Sequence, residues 1–115
     1  MCLIGFRIAE GGEIMIAANR DEFAQRPTAS LHWWDQEVLA GKDLAAGGTW
    51  LGITRSGRFA AVTNVRDPSL RTAPIPLASR GRMVSAFLMG TMSADDYIDG
   101  LHTGLAGPSP FNLLL

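Results

Sequence analysis

Cys2-Leu3-Ile4-Gly5-Phe6-Arg7-Ile8-Ala9-Glu10-Gly11-Gly12-Glu13-Ile14-Met15-Ile16-Ala17-Ala18-Asn19-Arg20-Asp21-Glu22 decides how the chain starts to fold. Two apolar, β-compatible runs, Cys2 to Ala9 and Glu13 to Ala18, flank Glu10-Gly11-Gly12, where glycine can take the positive φ of a tight turn. The pattern predicts a β-hairpin beginning at the second residue. A hairpin returns its far end to its start, so the polar cluster Asn19-Arg20-Asp21-Glu22 is expected close to Cys2.

Beyond this cluster, Leu31 to Trp34 reads as a short strand followed by a polar stretch. Trp50 to Thr54 and Phe59 to Thr63 flank Arg55-Ser56-Gly57-Arg58, which predicts a second hairpin with glycine at its turn. Ala60 and Ala61 are small enough to let a covering layer approach. From Val65 to Leu77 the prolines at 68, 74 and 76 remove donors and disfavour helix in their predecessors, so this stretch is expected to run over the surface. Ser79 is a good N-cap, and Met83, Val84, Phe87 and Leu88 recur at helical spacing within Arg80 to Met89, with Gly90 to close the helix. Ser93-Ala94-Asp95-Asp96 is a capping box with Asp in place of Glu, opening a second helix through Tyr97, Ile98 and Leu101.

Gly104, Gly107, Pro108 and Pro110 then break the chain before the apolar, strand-like run Phe111 to Leu115. That run stops with no turn and no polar terminus. Residues 1–115 are therefore expected to be a single α+β domain, truncated at its C-terminus. Hairpins come first and two helices afterwards. Cutting such a domain exposes apolar sheet, which favours pairing into a homo-oligomer.

At 115 residues and 47% hydrophobic, the chain can build one core. A net charge of −1 provides no field to draw phosphate backbones or anionic lipid, so nucleic acid is not the expected partner. The apolar opening is interrupted at Arg7 and has no basic leader, too short for a signal peptide or a membrane span. One cysteine cannot form an internal disulfide, which fits a cytoplasmic location.

Cys2 is the residue with nucleophilic chemistry. Removal of Met1 would give it a free α-amine beside its thiol, a base and a nucleophile in one residue. A thiol titrates near ~8.5 and an α-amine near ~7.7–8.0, so the amine can take the thiol proton at neutral pH. The commoner fate of a lone cysteine is a small hydrophobe in a buried strand. Asp21 could hold the ammonium or orient the thiol, and Arg20 could bind a substrate carboxylate. Charge clusters at strand ends are more often solvated Arg–carboxylate pairs, and spacing leaves both open. His32 and His102 lack metal-ligand spacing, and no metal or cofactor is expected. Trp33, Trp34 and Trp50 can line a hydrophobic ligand cleft or pack a core edge.

Asn19-Arg20-Asp21-Glu22 is the tetrapeptide of the NRDE family, and Phe23, Arg26-Pro27-Thr28, Gly47-Gly48-Thr49-Trp50-Leu51-Gly52, Thr63-Asn64-Val65-Arg66 and Ser79-Arg80-Gly81 resemble that family's blocks in its order. The resemblance spans nearly the whole chain. The family includes transport-and-Golgi-organisation proteins of animals and resembles the N-terminal-nucleophile (Ntn) hydrolases, which implies an αββα sandwich. Similarity to the cysteine Ntn hydrolases that cleave non-peptide linear amides places Cys2 as nucleophile, with Asn19 and Asp21 matching that group's Asn and Asp. Asn64 falls where its oxyanion Asn stands. Ala18 occupies that group's Arg position, with Arg20 two places later. Catalytic roles are thus expected at Cys2, Asp21 and Asn64, and substrate contacts at Asn19, Arg20 and Arg66. The expected ligand is a small-molecule amide. Animal members are also linked with haem handling and lipid traffic, so the alternative is a non-catalytic protein that binds haem or another hydrophobic or acyl ligand.

Overall fold

The first hairpin closes through Gly12 at φ 83°, with the Gly12 amide donating to the Ala9 carbonyl at 2.9 Å. The computed structural model describes residues 2–65, 80–104 and 110–115. Strands β1 (Cys2–Ile8) and β2 (Ile14–Arg20) pair antiparallel in unbroken register from Cys2↔Arg20 to Ile8↔Ile14. They form a two-stranded sheet of their own.

Five further strands make the larger sheet: β3 (Thr28–Trp34), β4 (Val38–Asp43), β5 (Leu51–Thr54), β6 (Phe59–Asn64) and β7 (Phe111–Leu114). They lie in chain order and every neighbouring pair is antiparallel. Two differences from the sequence expectation stand out. β3 starts at Thr28 rather than Leu31, and β4 occupies what reads as a polar stretch. The β3–β4 turn carries Asp35 at φ 48° and Gln36 at φ 65°, left-handed conformations without the glycine that normally announces them. Arg55, on the β5–β6 turn, holds this backbone: its Nε donates to the Gln36 carbonyl at 2.6 Å and its amide to the Glu37 carbonyl at 3.1 Å. A tertiary clamp thus supports a turn that the local residues disfavour.

Helix α1 (Arg80–Met89) lies across β4, β5 and β6. Its Met83, Val84, Phe87 and Leu88 are buried, as their spacing predicts, and Val84, Phe87 and Leu88 meet Val38, Ala40, Ala60 and Val62 in the core. Small residues set the distance between helix and sheet. A Cβ on Gly52 would come within 2.7 Å of Leu88 Cδ1, and Ala40 and Ala60 are fully buried. Arg58 caps the far end of α1, donating from Nε and Nη2 to the Phe87 carbonyl at 3.2 and 2.9 Å. Those are carbonyls a helix end leaves without intrahelical partners.

Helix α2 (Ala94–Gly104) opens on the expected cap: Ser93 Oγ accepts from the Asp96 amide at 3.1 Å and donates to Asp96 Oδ2 at 2.6 Å. It docks through Tyr97, whose hydroxyl donates to the Met83 carbonyl at 2.8 Å and whose ring lies 5.2 Å from Phe87. The apolar run after Pro110 is β7, paired with β6 through Asn64↔Phe111. The expected Ser79 cap, most of the proline-containing stretch and the break at Gly107 and Pro108 lie outside the described residues. The fold is a mixed α+β arrangement of antiparallel sheets and two helices.

Candidate functional site

Cys2 opens β1 and is partly buried. The register sets it directly opposite Arg20, and directly opposed residues share a face with Cβ atoms ~4.5–5.5 Å apart. Asn19 pairs with Leu3 and so projects from the other face of the hairpin. Asp21 follows β2 at the surface. β1 lies against β6, the strand that ends at the exposed Asn64, so strand packing brings the cysteine strand to the asparagine strand. Arg66 lies outside the described residues.

Arg20 is engaged in an ion-pair network. Its Nη2 lies 3.5 Å from Asp43 Oδ2 and 3.6 Å from Glu22 Oε2, and its Nη1 donates to Thr28 Oγ1 at 3.3 Å. Arg26 Nε meets the same Asp43 oxygen at 2.8 Å. The other Asp43 oxygen accepts the amides of Ala45 and Ala46 at 3.0 and 3.1 Å. Burial pushes the Asp43 carboxyl upward, but the Arg26 hydrogen bond and the two backbone amides outweigh it and hold the group below its ordinary value. Asp43 therefore fastens the hairpin, through Arg20, to the end of β4. Nothing in the sequence singles it out, because its arginine partners are 17 and 23 positions away.

The residue that sequence reading passes over is Arg80. It is the first residue of α1, half-buried, in a first turn without acidic residues. Burial lowers its guanidinium below the ordinary range, and the negative charge of the Cys2 side chain acts in the opposite sense, an electrostatic link between the two. No carboxylate among the described residues forms an ion pair with it. Its position follows from a backbone-to-backbone contact. Gly48 stands at φ 94°, and a Cβ there would come within 2.6 Å of the Gly81 carbonyl carbon and oxygen. The Thr49 amide donates to the Gly81 carbonyl at 3.1 Å. The Gly47-Gly48-Thr49 and Arg80-Gly81 blocks are thus two halves of one contact, which sets the start of α1. The signal for Arg80 was present in the second block, but its meaning depends on the first.

The family model described as Transport and Golgi organisation 2 matches residues 1–115. The chain belongs to this family. Among curated relatives, the mouse Transport and Golgi organization 2 homolog is 37% identical over 114 residues, covering 90% of this chain and 40% of the mouse protein. The human homolog is 35% identical over 109 residues, covering 85% of this chain and 38% of its own length. A protein of Saccharomyces cerevisiae described as uncharacterized is 29% identical over 129 residues, covering 97% of this chain and 40% of the yeast protein. The chain thus spans about 40% of the length of these family members.

Among the described residues, no group of three or more His, Cys, Asp or Glu side chains is arranged to hold a metal ion. Nor is any helix there long and apolar enough to cross a membrane.

Proposed function

We propose that this chain carries the nucleophile of an Ntn cysteine hydrolase of αββα type, acting on a non-peptide linear amide in the cytoplasm. The observation that carries the reading is the setting of Cys2: the strand it opens lies against the strand that ends at Asn64, with Arg20 across the hairpin and Arg80 in electrostatic reach. The family name describes a cellular process and no reaction, so the chemistry rests on these residues.

In this mechanism Met1 is removed and the Cys2 α-amine accepts the thiol proton. The sulfur attacks the amide carbonyl and forms a C–S bond, while the oxyanion takes a hydrogen bond from the Asn64 side chain. The ammonium returns its proton to the leaving nitrogen as the C–N bond breaks. Water then attacks the thioester, giving a proton to the amine, and the C–S bond breaks to release the acid. Asp21 orients the ammonium. Asn19, on the hairpin face opposite Cys2 and Arg20, does not take the substrate contact expected of it, whereas Arg20 and Arg66 contact substrate. Arg20 can do so only while keeping, or exchanging, its Asp43 contact.

Intact-protein mass spectrometry of the full-length protein, before and after an electrophilic amide or β-lactam probe, tests the reading. The expected result is a mass lacking Met1 that gains one adduct, lost in Cys2→Ala. Asn64→Ala should then lower kcat by ~10²–10³ while leaving the adduct site in place. A mass that retains Met1 and takes up no adduct would sink the mechanism, leaving haem or acyl-ligand binding as the reading to pursue.

A further inference from the structure

α1 covers β4 to β6, and the sheet runs on past it to the edge strand β3. Between helix and edge lies an open groove of about 620 Å³. Trp34, His32 and Lys42 form its sheet side, and Arg82, Ala86 and Met89 its helix side. The spacing of 82, 86 and 89 puts these three on one stripe of α1. The groove has a polarity. Lys42 and Arg82 stand at one end, beside Gly47 and Gly48, while Met89 and the Asp35 turn lie at the other. From Lys42 back to Val38 along β4 is about 13 Å, and from Arg82 to Met89 along α1 about 10 Å, which bounds the length of a guest.

Neither cation at the basic end has a carboxylate partner among the described residues. Arg82 uses Nε on the Ala46 carbonyl at 3.2 Å, which fixes its stem against the glycine turn. The Lys42 ammonium lies 5.1 Å from the centroid of the Trp34 ring. Trp34 is itself held, donating its indole N–H to the Ala40 carbonyl at 3.2 Å, with His32 at 6.1 Å in a tilted ring contact. The lysine thus rests its charge on a fixed aromatic surface. A guest with an anionic group would draw the ammonium off the indole, uncovering a ring face against which only a flat apolar body fits well. Either property alone gives less: a bare anion loses the stacking, and a neutral ring must displace the lysine unaided.

We propose that this groove binds a flat aromatic anion, its charged group between Lys42 and Arg82 and its rings over Trp34 toward Met89. The site is separate from Cys2 and does not depend on the hydrolase reading. Calorimetric titration of the full chain with 2-naphthoate should show saturable binding. Acetate and 2-naphthalenemethanol, which each lack one half of the guest, should bind at least tenfold more weakly. The Trp34 indole N–H resonance, assigned through Trp34→Phe, should shift with 2-naphthoate. Lys42→Gln should weaken binding at least tenfold, and Ala86→Phe, at an exposed helix position, should block it while the fold is retained. A parallel titration with 2-naphthyl phosphate identifies the head group, tighter binding indicating phosphate and weaker binding carboxylate. If 2-naphthalenemethanol binds as well as 2-naphthoate, if Lys42→Gln leaves the affinity unchanged, or if no titration saturates, the proposal is overturned.

Discussion

The β1–β2 hairpin and the sheet beneath α1 are written in similarly apolar sequence and end in opposite environments. In the hairpin Leu3, Phe6, Ile8, Ile14 and Met15 are each more than 60% exposed; in the sheet under α1, Val38 and Val62 are each 3% exposed, and Val84 and Phe87 of the helix that covers them 0% and 5%. Sequence hydrophobicity is therefore not what separates them. Residues of both hairpin faces are apolar, since Phe6, Ile8, Ile14 and Ile16 share one and Leu3 and Met15 the other. Strands with that pattern suit burial on both sides, and a two-stranded sheet alone is only marginally stable in water. Among the described residues the hairpin is fastened through β1, which packs on β6 and is partly buried only at Cys2 and Ile4, and through Arg20, which meets Asp43. The candidate nucleophile thus sits where the less supported region is anchored to the better supported one.

The sharpest way to break this comparison is to truncate one large side chain in each region. Phe87→Ala should cost about 3–5 kcal/mol in urea unfolding, because the cavity would lie between α1, Tyr97 and the sheet. A loss below 1 kcal/mol would mean that the helix does not carry the core.

Asp43→Asn tests the fastening. Its folded-state carboxyl lies below the ordinary value, so the charged form stabilises the fold above the unfolded-state pKa and that contribution disappears as pH falls through the lower folded value. The variant should be about 1.5–3 kcal/mol less stable at pH 7 and should converge with the parent in strong acid. Parallel curves at every pH would show that the Arg26 and Arg20 contacts contribute nothing.

Arg80→Met addresses the electrostatics of the anchor point. Alkylation of Cys2 by iodoacetamide at pH 7 should slow several-fold, and Arg80→Lys should restore most of the rate. An unchanged rate would separate Arg80 from the thiol. The smallest effect completes the pair: Phe6→Ser, at an exposed strand position, should change stability by no more than about 0.5 kcal/mol. If Phe6→Ser instead costs as much as Phe87→Ala, the hairpin is covered in solution and the contrast disappears.

Much of the fold was legible because its signals are local. Gly11-Gly12 and Gly57 mark two hairpins, the 83/84/87/88 spacing marks α1, and Ser93 with Asp96 marks the start of α2. β4 was not legible, since its turn uses Asp35 and Gln36 in left-handed conformations held by Arg55 from another turn. At the candidate site, the proximity of Cys2 and Arg20 followed from the hairpin alone. Placing Asn19 on the opposite face required the register, which a shift of one residue would have reversed.

The sequence by itself determined the family, through short blocks in a fixed order along the chain, and the first hairpin, both helices and the identity of the one thiol, because each signal is read from residues within a few positions of one another. Only the tertiary structure decided that Asp43 gathers Arg20 and Arg26, that Gly48 and Gly81 touch and set Arg80 near Cys2, and that α1 leaves the edge of β3 uncovered. These are contacts between segments 17 to 78 positions apart in the chain, and they depend on packing distances and strand register that linear spacing does not encode.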